Sequence, residues 1–186
     1  VEFYGRLERD IQKLIDKAGK YNLKALCRLN VASDLDWIAF TRNFSECTFY
    51  DYTKVRSRFR AFANPRRTDP FFSGNYELTY SWSENSNHRQ TGNWLRGGSN
   101  VAMVFDTFYR KNGPPHCHRV DALPKRVKID GSYFDIVDGD IADPRLREFD
   151  GSGVVVGLRY KGPRAKIAAS IKSGFCISEN AKNVLK

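Results

Sequence analysis

The sequence predicts an α/β domain built on a mainly parallel sheet, with an incomplete barrel as one form of it. Three observations carry this. Six runs of strand-forming residues, at 26–34, 48–54, 76–84, 101–106, 134–140 and 154–161, each end in polar or charged residues. Helix-like sequence follows several of them, and alternating strands and helices imply parallel pairing. The chain has 186 residues, 41% of them hydrophobic, which is enough for one domain with its own core. Complete eightfold barrels typically need about 250 residues, so an open sheet or a partial barrel fits this length better.

The elements follow in order. Over residues 5–19, Leu7, Ile11, Leu14, Ile15 and Ala18 recur at helical spacing, and Gly19 stops the helix. A first strand spans about 25–31. Ser33 or Asp34 then caps a helix to about Asn43. A second strand covers about 47–52, and Thr53 caps a helix to about Ala63 whose buried stripe is Val55, Phe59 and Phe62. Pro65, Pro70, Gly74 and Asn75 make 65–75 a loop. A third strand spans about 76–82, and the polar stretch 83–100 gives no firm helix. A fourth strand spans about 101–105, and Pro114 and Pro115 mark a turn. Asp130-Gly131 suggests a hairpin within 117–137. A short helix at about 144–149 precedes a last strand at about 154–160. We read the whole as a single domain over 1–186; an upstream segment before Val1 is compatible with it.

Charge points to a class of partner. The net charge is +10, a balance that suits a polyanion, usually nucleic acid. The basic residues cluster. Between Thr53 and Thr68 there is no acid, but there are Lys54, Arg56, Arg58, Arg60, Arg66 and Arg67. A second acid-free stretch, 151–178, holds Arg159, Lys161, Arg164, Lys166 and Lys172. Of these, Lys161, Arg164 and Lys166 join the first group as candidate phosphate contacts. The competing reading is a set of solvated faces with snorkelling stems.

Carboxylates at strand ends point to a second class. Asp138 and Asp140 flank Gly139 and share a side if the strand continues through it. They are candidate ligands of Mg²⁺, and Asp34, Asp106 and Glu84 are candidates to join them in metal-dependent phosphodiester chemistry. Against this, Asp-Gly is ordinary turn chemistry, and Asp143 before Pro144 is an ordinary helix cap. Trp82 and Trp94, in and after a polar strand end, are candidates to stack a base. The His116-Cys117-His118 triplet, with Tyr52 as a nucleophile, is a weaker metal-site signal. Cys27, Cys47, Cys117 and Cys176 are too dispersed for a zinc site or a disulfide framework and read as buried, reduced thiols. No apolar run approaches the roughly 20 residues of a membrane span, so no membrane is expected.

Taken together, Arg28-Leu-Asn-Val-Ala-Ser-Asp-Leu-Asp-Trp37, Phe49-Tyr-Asp-Tyr-Thr-Lys54, Asn75-Tyr-Glu-Leu-Thr-Tyr-Ser-Trp-Ser-Glu-Asn85, Gly98-Ser-Asn-Val-Ala-Met-Val-Phe105, Asp138-Gly-Asp140 and Gly157-Leu-Arg-Tyr-Lys-Gly162 resemble a phage family of the gene product eighty-eight type. The resemblance implies phage or prophage origin, and hence the host cell cytoplasm. It gives no residue a role. Members of the family carry a cysteine-rich segment ahead of the first of these strands, which this sequence does not show. The resemblance therefore implies either a segment upstream of Val1 or divergence at this end.

Three functions follow as expectations. One is a phage protein that binds nucleic acid through its basic stretches. Another is a metal-dependent phosphodiesterase or nuclease using the strand-end carboxylates. The third is a barrel-type small-molecule enzyme whose cofactor segment lies upstream.

Overall fold

The computed structural model describes residues 2–63, 74–110, 119–120 and 122–178. Its contacts divide the chain into two compact units, 1–78 with Pro144–Leu146, and 79–143 with 147–186.

The first unit opens with helix α1 (Glu2–Lys20), which buries Ile11, Ile15 and Ala18 along the stripe that the spacing predicts. Strand β1 (Ala25–Cys27) pairs in parallel with β2 (Cys47–Thr53), with Ala25 opposite Cys47 and Cys27 opposite Phe49. Helix α2 (Ile38–Thr41) is a single turn, shorter than its sequence suggests. The shortening has a cause. The Asn30 side chain accepts from the Leu35 backbone N–H, the Ser33 hydroxyl and the Trp37 indole, which fastens 30–37 as a loop. Tyr4, Trp37, Phe40, Phe44 and Phe49 form a chain of ring contacts with centroids 5.4–6.4 Å apart. Helix α3 (Arg56–Ala63) follows β2, and Thr53 Oγ1 accepts from Val55 N–H at its entry. Phe59 and Phe62 are buried as expected, but Val55 is exposed and Arg58 takes a buried place beside the two rings. Strand β3 (Tyr76–Ser81) neighbours β2 and runs from the first unit into the second.

In the second unit the order is β3, β4 (Val101–Arg110), β8 (Val155–Tyr160), β7 (Ser132–Asp138), β6 (Arg126–Ile129). The β3–β4, β4–β8 and β7–β8 pairs are parallel. The sheet is α/β and mainly parallel, as predicted, and it is open rather than closed into a barrel. Val101, Ala102, Met103, Phe105, Val155 and Val156 are buried at its centre. Strands β6 and β7 form the expected hairpin, and Asp130 and Gly131 both adopt positive φ (48° and 79°), the requirement of a tight two-residue turn.

The polar stretch 83–100 does hold a helix, α4 (His88–Arg96). Asn87 caps it by accepting from Gln90 N–H at 2.9 Å. His88, expected in a loop, is its first residue. Strand β4 continues well past 105, with a register shift between Phe105 and Phe108 against β8. It also pairs with β5 (Arg119–Val120) and β9 (Cys176–Ile177). The helix expected at 144–149 is the single turn α5 (Arg147–Asp150). Helix α6 (Ile167–Lys172) was not anticipated. The expectations for Arg66, Arg67, Pro114, Pro115 and the His116-Cys117-His118 triplet lie outside the described residues.

Candidate functional site

Each unit holds one Arg–carboxylate cluster, and that of the second unit lies at the ends of β7 and β8. In the first unit, Asp51 lies within β2, where its neighbours are aromatic or hydroxyl-bearing. Its side chain is 1% exposed. It accepts from Asn30 backbone N–H at 2.8 Å, Asn30 Nδ2 at 3.1 Å and the Tyr76 hydroxyl at 2.8 Å. Burial raises its carboxyl pKa above the usual value, and the Asn30 and Tyr76 hydrogen bonds and the Arg58 and Arg28 charges pull it back down. Tyr76 is raised as well, by burial first and by the Asp51 charge second.

Arg58 closes this cluster. Its side chain is 6% exposed. It donates to Asp34 Oδ1 at 2.7 Å and to the Tyr76 hydroxyl, and lies 4.0 Å from Asp51 Oδ2. Asp34 also accepts from Lys54 N–H at 2.8 Å, so it joins the β1–α2 loop to the entrance of α3 rather than capping α2. The Arg28 guanidinium covers the Tyr52 ring at 4.8 Å. The expectation that Arg58 faces a phosphate backbone is therefore corrected. A guanidinium two residues beyond Arg56 on a helix turns to the other side, and here that side is buried. Lys54, Arg56 and Arg60 are exposed.

In the second unit the guanidinium of Arg159 is shared by two aspartates. Its side chain is 4% exposed. Nη1 and Nη2 donate to the two Asp138 oxygens, each at 2.7 Å, and Nη1 also reaches Asp140 Oδ2 at 3.2 Å. The Arg159 backbone N–H donates to the same Asp140 oxygen at 2.9 Å. Lys161 Nζ lies 3.0 Å from Asp140 Oδ1. The fork geometry is the strong form of this contact, and the Asp138 hydrogen bonds raise the Arg159 pKa above its usual value. Gly139 makes it possible. A Cβ there would stand 2.5 Å from Val156 Cγ1 and 2.9 Å from Leu158 Cδ2, so only glycine lets β7 press this close to β8 while both aspartates turn to Arg159.

The remaining candidates scatter. Asp106 does not follow the end of β4 but lies within it, at the register shift, and accepts from Ser178 Oγ at 2.6 Å. Glu84 is exposed in a turn. Asp34 belongs to the first unit and the other candidate carboxylates to the second. Among the described residues no group of three or more His, Cys, Asp or Glu side chains is arranged to hold a metal ion. Trp82 is buried and donates its indole N–H to Gly174 O at 2.9 Å, while Trp94 is buried against Tyr80 with centroids 4.8 Å apart. Neither presents a free face for stacking, because both rings complete the core around β3 and α4. Lys161 and Lys166 are exposed. Cys27, Cys47 and Cys176 are free thiols, Cys27 half-buried and the other two buried.

Sequence reasoning passed over Asn30, Asp51 and Tyr76 as site residues. One signal was available. Asp51 is a lone acid inside an otherwise buried strand, and such a residue needs partners.

An open, mainly parallel sheet with helices makes this an α/β protein. The chain belongs to the Gene product 88 family, a phage gene-product family whose model matches residues 1–179. No curated protein and no solved structure matches it significantly. No described helix is long and apolar enough to cross a membrane.

Proposed function

We propose that this phage protein binds nucleic acid through the exposed cations of its two acid-free stretches, in the cytoplasm of the host. One observation carries the reading. Four acids are paired with arginines of these stretches, Asp34 and Asp51 with Arg58, Asp138 and Asp140 with Arg159, and Asp51 and Asp140 are buried in doing so. The surface keeps Lys54, Arg56 and Arg60 on and before α3, and Lys161 and Lys166 beyond β8. Arg56 and Arg60 are four apart on one helix and project together.

This arrangement supports the binding reading over the metal-dependent one. A cation between Asp138 and Asp140 would have to displace or share both with Arg159. Mg²⁺ sites keep carboxylate oxygens about 2.0–2.1 Å from the metal, a demand that an arginine fork at hydrogen-bond distance does not meet.

The test is a titration of labelled single-stranded and duplex DNA and RNA at several salt concentrations, with and without Mg²⁺. Binding that weakens steeply with salt, without cleavage, supports the proposal. Affinity below the millimolar range on every polymer at low salt would end it.

A further inference from the structure

The second unit contains a cavity of about 400 Å³ lined by Val104, Leu158, Tyr160, Gly162, Ser170 and Phe175, with Arg159 and Lys161 at its polar side. Its volume falls within the range of small-molecule sites, and it lies at the C-terminal end of β8, beside Val104 in the middle of β4. Its floor is apolar. Its hydrogen-bonding groups are few and convergent: the Ser170 and Tyr160 hydroxyls stand 3.3 Å apart. Gly162 shapes one wall, since a Cβ there would meet the Tyr160 hydroxyl at 2.5 Å. The Ser170 hydroxyl also reaches the Lys166 carbonyl at 3.1 Å, which places the Lys166 backbone beside the lining. No acid occurs between Gly151 and Ser178.

We propose that this cavity receives one unstacked nucleobase, with the attached phosphate held by Lys161 and Lys166. An apolar slot with an aromatic wall suits the flat face of a base, two hydroxyls suit its polar edge, and exposed lysines suit the phosphate. The inference rests on the nucleic-acid reading and deepens it, because a base inside a duplex cannot enter a pocket. The preferred polymer is single-stranded.

The test uses the full chain with three probes: a labelled unstructured 15-mer, the corresponding duplex, and AMP titrated by protein-observed NMR. The variants are Ser170→Trp, which fills the cavity, and Phe175→Leu, which removes one of its two aromatic rings with little change in volume. Circular dichroism checks that each is folded. The expected result is tighter binding of the single strand than of the duplex. Ser170→Trp should weaken the single strand by about tenfold, a typical value for one stacked base, and leave the duplex within about twofold. Phe175→Leu should weaken it by about threefold, and this result carries the test if Ser170→Trp does not fold. Saturable AMP shifts at lining residues, lost in the variants, support the pocket whatever the polymers do. If the strand is unaffected while AMP is lost, the natural source is a free nucleotide. Wild-type affinity for both the strand and AMP in a folded variant would overturn the proposal. Absence of salt-dependent polymer binding in every protein would refute the electrostatic reading instead, and the AMP arm would still decide the pocket.

Discussion

Replacing Arg159 by Met removes the guanidinium between Asp138 and Asp140 while keeping an unbranched stem of similar length. Three side-chain hydrogen bonds are lost, two to Asp138 and one to Asp140. The two aspartates respond differently. The Asp138 side chain is 27% exposed and can turn to water, so its loss is small. Asp140 is 3% exposed and loses the guanidinium, while the Arg159 backbone N–H and Lys161 remain among its partners. Removing one partner of a buried pair costs about 3–5 kcal/mol, and the surviving contacts place this case near the lower end. For a chain of this length, about 3 kcal/mol corresponds to a fall in Tm of roughly 6–12 °C. Urea unfolding followed by tryptophan fluorescence reads it, since Trp82 and Trp94 are buried in the same unit as Arg159. Adding Asp140→Asn to Arg159→Met should restore part of the loss, because the stranded charge is then gone. A loss under about 1 kcal/mol in the single variant would refute the reasoning, for it would mean that Asp140 is not held by Arg159.

Two further outcomes are expected. The carboxyl pKa of Asp51 is raised in the folded state, so between the unfolded value near 3.8 and that raised value the native state holds the extra proton. Its contribution therefore improves stability as pH falls through that window, and wild type should gain relative to Asp51→Asn when both are melted from pH 7 down to pH 4. A gap that stays constant with pH would contradict this. The Cys47 and Cys176 thiols are pushed up to about 12, and Cys27 to about 11, all chiefly by burial. At pH 8 a thiol at 12 is only about one part in ten thousand thiolate, so Cys47 and Cys176 should resist a thiol reagent in native protein and react fully once unfolded. Rapid native labelling of either, read by peptide mass mapping, would show that its site opens.

What the sequence made legible is local, and what it hid depends on distant partners. The α1 stripe, the parallel order of alternating elements and the Asp130-Gly131 hairpin are readable because each signal is complete within a few residues. The two buried arginines are not. The period of α3 places Arg58 among basic neighbours, but its partner Asp34 stands 24 residues away. Arg159 likewise meets Asp138 and Asp140 from 21 and 19 residues away, across β7 and β8. Charge clustering alone could not tell these two cations from Lys54, Arg56 and Arg60. The short α2 has the same origin, since the Asn30 side chain that holds its loop is itself fixed by Asp51 of a neighbouring strand. Trp82 and Trp94 read as stacking residues because they flank polar sequence, yet both rings are buried, Trp82 bonded to Gly174 O and Trp94 against Tyr80.

The most direct measurement is the dependence of nucleic-acid affinity on salt for wild type and for the Arg56→Gln, Arg60→Gln double variant. Both side chains are exposed on α3, so the variant should keep its fold. On duplex DNA each lost phosphate contact flattens the slope of log K against log salt by about 0.9, and the double variant should therefore be flatter by close to 2. An unchanged slope and affinity in the folded variant would contradict the claim that this face of α3 carries the interface.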